Sequence, residues 1–168
     1  TTVSNVLTDK LETSLSATAV SVENALKYAG DGSFEVNGSG DLVKGDFNIS
    51  KTMDLVDSIK EESGVEVSVF FGDTRYLTSI TDADGKRPVG EKADEGMVER
   101  VLKGGENYFV ENTKVAGKQY LMYCMPLCND GSTTPIGMIV AGIGHEHIEE
   151  GGKIISYNIS TIIFCVLL

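Results

Sequence analysis

Residues 66–78 read EVSVFFGDTRYLT, an apolar run, a tight Gly72-Asp73 turn and a second short run that carries the lone cation Arg75. Two β-rich runs joined by a few turn residues form a hairpin, and its strands are predicted at Val65 to Phe71 and Tyr76 to Ile80. A guanidinium at the start of the return strand can point into the concavity that the hairpin walls. Its planar, bidentate donors suit a carboxylate, which directs attention to a small anion rather than to catalysis. The competing reading is an arginine solvated at a turn.

Working outward, residues 1–29 place Val3, Leu7, Leu11, Leu15, Val22 and Leu26 at helical spacing among polar residues, which predicts a long amphipathic helix. The same spacing suits a helix–helix seam, although packing on the domain's own sheet is the simpler reading. Gly30-Asp31-Gly32 ends it. Residues 30–47 are glycine-rich and suggest short strands with turns. A second helix, capped by Asn48 or Ser50, is expected through Glu62, with Ile49, Met53, Val56 and Ile59 on one face and Gly64 as its stop. A polar loop follows the hairpin. Met97, Val98, Val101 and Leu102 then predict a third helix, with acids at its start, Arg100 and Lys103 at its end, and Gly104 closing it. Tyr108 to Val115, Lys118 to Leu127 and Ile136 to Ile143 read as three more strands, turned at Ala116-Gly117 and Asn129-Asp130-Gly131. Short turns pair neighbouring strands antiparallel, so the expected fold is α+β with one five-stranded antiparallel sheet.

The chain has 168 residues, enough for one domain with a real core. Its 14 Lys+Arg against 25 Asp+Glu give a net charge of −11. That balance argues against nucleic acid, whose phosphates require a basic face, and against binding to anionic lipid surfaces. The cysteines Cys124, Cys128 and Cys165 form neither a disulfide framework nor a zinc signature. Cys124 and Cys128 lie too far apart along an extended strand to bridge. From Ile154 the chain runs IISYNISTIIFCVLL without a charge. The run falls short of the roughly 20 apolar residues that span a bilayer. We read it as the start of a transmembrane helix, with a buried terminal helix as the alternative. The acidic HEHIEEGG before it suits the non-cytoplasmic side. Thr1 opens directly into a helical pattern with no signal peptide, so both ends are expected to be cuts in a longer protein.

The order GVEVSVFFGDTRYLTSI, GKRPVG, VLKGGENYF, VAGKQYLMYCMPL and PIGMIVAGIG resembles the single Cache sensor domains of bacterial chemoreceptors. It is similar also to the related PAS-like domains of citrate-sensing histidine kinases. The likeness extends from Gly32 to Gly144. It implies a long N-terminal helix across one face of the sheet, a small-ligand pocket on the other, and placement outside the cytoplasmic membrane between two membrane helices. Three segments follow: the helix at 1–29, a single Cache ligand-binding domain at 30–144, and a juxtamembrane linker with the start of a membrane helix at 145–168.

Carried over by position, the resemblance puts Arg75 and Thr78 on the ligand-facing return strand, with Val69 and Phe71 of the preceding strand assigned to the same site. Tyr120, Met122 and Cys124 share one face of the penultimate strand by alternation. Citrate sensors carry cations on that strand, and this sequence departs from the pattern with Tyr120, Met122 and Cys124. One arginine cannot readily neutralise a tricarboxylate, so the expected ligand is a monocarboxylate or a small neutral polar metabolite. Arg87 and Lys118 can add charge or lie solvated. A homodimer through the long helix is a further expectation.

No nucleophile elbow, zincin motif, P-loop or Rossmann fingerprint is present, so the chain is not expected to be an enzyme or to hold a cofactor. His145 and His147, with Glu149 and Glu150 near, have donors that can ligate zinc, but a polar linker explains them more simply. The output partner can be a methyl-accepting chemotaxis receptor, a sensor kinase or a cyclic-dinucleotide enzyme, and a ligand-free surface module is the remaining alternative.

Overall fold

The computed structural model describes residues 2–149. The expected membrane-helix start at 154–168 lies outside them. Among the described residues, no helix is long and apolar enough to cross a membrane.

Helix α1 runs Thr2–Ala29, about 42 Å at the usual rise. Its buried residues Leu11, Leu15, Thr18, Ala19, Val22, Ala25 and Leu26 form one stripe at intervals of three and four. The helix stops where Gly30 meets a neighbouring strand: a Cβ there would sit 2.2 Å from the Lys44 carbonyl oxygen. Lys44 itself is only 1% exposed. Its ammonium donates to the Lys27 carbonyl at 3.0 Å and to the Gly30 carbonyl, with the Asp130 carboxylate at 3.4 Å. The free carbonyls at the end of α1 thus gain a cationic donor, the charge that end of a helix favours.

Residues 30–47 build a small antiparallel sheet of β1 (Phe34–Val36), β2 (Leu42–Lys44) and β3 (Phe47–Asn48) in that order. A short 3₁₀ turn at Ile49–Lys51 leads into α2, Met53–Ser63. The expected caps are employed elsewhere. Asn48 donates to the Asp41 carboxylate at 2.8 Å, Ser50 accepts from the Leu42 amide at 2.8 Å, and Thr52 occupies the cap position. Gly64 ends α2 at φ 73°, a left-handed conformation that favours glycine.

The main sheet contains β4 (Glu66–Phe71), β5 (Thr74–Thr78), β6 (Tyr108–Val115), β7 (Lys118–Cys128) and β8 (Pro135–Gly144). All neighbours are antiparallel, in the order β5-β4-β8-β7-β6. The last strand is therefore central, inserted between the two hairpins. Between them, α3 (Glu95–Met97) passes directly into a π-helical turn, Val98–Lys103. The apolar positions of the expected third helix hold, but its winding widens. Helix α4, His145–Glu149, continues from β8.

The two faces of the sheet carry separate cores. Val67, Val69, Leu77, Leu121, Tyr123, Met125, Ile139, Ala141 and Ile143 pack with the α1 stripe and α2. Phe70, Tyr120, Met122, Cys124, Met138 and Val140 lie on the opposite face beneath Ile80, Met97 and Val101. The one-residue alternation of each strand divides the two sets.

Candidate ligand-binding site on the sheet face opposite the long helix

The face turned away from α1 receives Glu66, Ser68 and Phe70 from β4 by alternation. Arg75 stands opposite Phe70 and Thr78 opposite Ser68, with a bulge absorbing the intervening residue. Val69 and Phe71, expected at the site, have the other parity and pack in the α1 core. The correction is a one-residue register shift, and Phe70 takes their place. Its signal was present in the sequence: polar Glu66 and Ser68 alternate with Val65, Val67 and Val69, marking the face that is not simply apolar.

Arg75 is 4% exposed, and its guanidinium carbon lies 4.9 Å from the centre of the Phe70 ring. Its Nε is buried without a hydrogen-bond partner. Among the described residues its one ion pair is to the Glu91 carboxylate, at 3.6 Å, and that side chain is 61% exposed. Burial pulls the Arg75 pKa down, while Glu91 and Tyr120 pull the other way. Arginine remains protonated throughout the physiological range. A buried cation with an unused donor lacks acceptors that water would otherwise supply.

Tyr120, Met122 and Cys124 come together on this face, all buried. Burial pushes the Tyr120 phenol up to about 12, with Glu66 and Glu146 adding to the shift and Arg75 opposing it. Burial also raises the Cys124 pKa, keeping it a neutral thiol. Thr78 is present but committed: its hydroxyl shares a hydrogen bond with that of Ser68 at 2.8 Å and accepts from the Ile80 amide at 3.1 Å. Beneath these residues β8 tapers, presenting Met138, Val140, Gly142 and Gly144 in succession. A Cβ on Gly142 would lie 3.0 Å from the Met122 Cγ, closer than ordinary contact.

The remaining predicted cations are engaged elsewhere. Arg87 makes a fork with Asp57 at 2.7 and 2.6 Å and donates to the Thr78 carbonyl at 2.7 Å. Lys118 is exposed, 3.5 Å from Glu146. A cleft of about 430 Å³ at the Glu66 end of this face is lined by Asp57, Lys60, Glu66, Ser79, Arg87 and His147 among others. Its Arg87 is matched by Asp57, and its Lys60 pairs with Glu66 at 2.9 Å. His145 Nε2 lies 2.8 Å from the Glu111 carbonyl oxygen. Among the described residues no group of three His, Cys, Asp or Glu side chains is placed to hold a metal.

The segment after β5 returns along the strand's outer edge. The Arg75 amide donates to the Glu91 carbonyl at 3.0 Å, and the Gly90 amide donates to the Arg75 carbonyl at 2.7 Å. Asp94 then caps α3, accepting from the Met97 amide at 2.8 Å. Glu91 was not anticipated from sequence, because its proximity depends on this backward run of the loop.

The profile of the family described as single Cache domain 3 matches residues 47–153, more than half of the chain. The chain belongs to that family. The solved structure titled "Methyl-accepting Chemotaxis protein X" resembles the Cache domain with TM-score 0.54 at 13% identity, covering 88% of this chain and 61% of that one. The E. coli DcuS sensor domain is similar at TM-score 0.45 and 14% identity, with 58% and 69% of the two chains covered. The ligand-binding domain of the Campylobacter jejuni chemoreceptor Tlp3, solved with L-valine, gives TM-score 0.43 and 16% identity over 89% and 64%. The chain thus spans less than two thirds of the chemotaxis protein and of the Tlp3 domain. A search of curated protein sequences returns no match.

Proposed function

We propose that this Cache domain is the extracytoplasmic sensor of a transmembrane chemoreceptor and binds a small monocarboxylate or small polar metabolite. The observation that carries the reading is Arg75, a buried guanidinium with an unpartnered Nε on the sheet face that also carries Tyr120, Met122 and Cys124. A carboxylate would satisfy its donors, while Phe70 and Met122 would cover a short apolar tail. A single cation favours one negative charge over three. Segment 30–144 is the ligand-binding unit of this reading, and the residues beyond it lead into the membrane.

In this proposal ligand closure biases two arrangements of the sheet relative to α1, and the difference passes into the membrane helices as a small displacement. The outward face of α1 carries Val6 and Val20, 49% and 42% exposed, with Thr13, Ala17 and Asn24 on the same side. Their near-heptad spacing suits pairing with a second copy. A sensor kinase or cyclic-dinucleotide enzyme as the output partner would use the same site.

Thermal unfolding in the presence of a panel of small acids tests the reading. A ligand at 100 times its Kd should stabilise the native state by about 2.7 kcal/mol. Arg75→Ala should remove that stabilisation for acidic ligands while the unliganded protein still unfolds cooperatively. Equal affinity in wild type and Arg75→Ala would sink the anion site, and no shift with any compound would favour a ligand-free surface module.

A further inference from the structure

We propose that Glu91 is a tethered competitor for the Arg75 guanidinium, a specificity-determining carboxylate that sets how tightly an acidic ligand binds. The inference rests on Arg75 being the ligand's anchor. Three observations support it. First, Arg75 is 4% exposed and its Nε has no partner, whereas its Nη1 lies 3.6 Å from Glu91, beyond a good hydrogen bond. Glu91 neutralises the cation without filling its donor fork.

Second, the main chains of these two residues are paired, the Arg75 amide donating to the Glu91 carbonyl at 3.0 Å. Pairing continues through the bridge between Thr74 and Lys92 and the Ala93 amide on the Asp73 carbonyl at 2.8 Å. Lys92 adds an ion pair to Asp73 at 2.6 Å. The backbone therefore holds Glu91 beside the guanidinium, while its side chain retains freedom to rotate.

Third, the Glu91 side chain is 61% exposed. It can leave the guanidinium and be rehydrated at little cost, which a buried carboxylate could not do. A ligand carboxylate reaching Arg75 would make two parallel hydrogen bonds where Glu91 makes a looser contact. Binding is then an exchange of one carboxylate for another. Apparent affinity is reduced by the fraction of molecules in which Glu91 occupies the cation. The same exchange disfavours neutral ligands, which would leave the Glu91 contact in place.

The test uses the full chain and three probe anions, acetate, propionate and lactate, titrated by calorimetry at about 0.15 M salt to suppress long-range charge effects. Glu91→Gln keeps the side chain's shape and the backbone pairing. It should tighten binding of the probes by about 3- to 10-fold. Glu62→Gln, an equal charge change on the exposed end of α2, is the control and should bind as wild type. Glu91→Gln binding no tighter than the control, with Arg75→Ala abolishing binding, would overturn the competitor role and leave the anchor intact. Failure of every variant to bind any probe, or equal binding by Arg75→Ala, would overturn the anchor and this inference with it.

Discussion

Tyr120 shows what burial on the sheet face opposite α1 does to a single side chain. Its phenol holds its proton up to about 12 in the fold, against about 10 in an unfolded chain. Between those values the native state binds the extra proton, so its contribution to stability is full below pH 10 and falls as pH rises toward 12. Tyr120→Phe should therefore flatten the decline of the urea midpoint over that interval relative to wild type. An identical decline in the two proteins would place the phenol in a more solvated environment than its 3% exposure indicates. Arg75 illustrates the same physics with the opposite charge. Burial lowers its pKa, but the guanidinium cannot shed its proton in the physiological range and must instead find an acceptor.

Among the elements, the junction of α1 with the small sheet depends on Lys44. Removing its ammonium would strip donors from the carbonyls of Lys27 and Gly30 and leave a cavity beside Phe34, whose ring centre lies 5.7 Å from Nζ. Lys44→Ala should cost about 2–4 kcal/mol in urea unfolding. Lys51→Ala, whose side chain is 74% exposed, should stay within about 0.5 kcal/mol. The role of Lys44 is not legible in the sequence. A lysine in a glycine-rich stretch resembles surface decoration, and its burial follows from an 86-residue-distant partner and a helix end that no local pattern connects. The long helix, both hairpins and the paired position of Tyr120, Met122 and Cys124 were legible because each rests on a local period. The parity of β4 is hidden because Val69, Phe70 and Phe71 are apolar at three consecutive positions. Only Glu66 and Ser68 disclose which side faces the site. The loop that brings Glu91 to Arg75 carries no periodic signal at all.

At the scale of the whole molecule, α1 and β8 lie against each other through one core, and Leu7 near the start of the helix shares that core with Ile148 after β8. Both ends of the described chain thus pack against the core on the side of the sheet opposite the candidate site. If the outward face of α1 pairs with a second copy as proposed, Val20→Asp should yield monomer by sedimentation. Its unfolding midpoint at low protein concentration should change little, since Val20 is 42% exposed. Persistence of a dimer would move the contact off this face. The taper of β8 from Met138 to Gly144 has a different consequence. If the proposed ligand lies on this face, its length over bare backbone would be measured only by what stands there, and at Gly142 that is Met122, a flexible thioether. In the proposed site the central strand would serve as the fixed scale of a ruler and Met122 as its sliding stop, so discrimination among homologous acids would be adjusted one methylene at a time from β7.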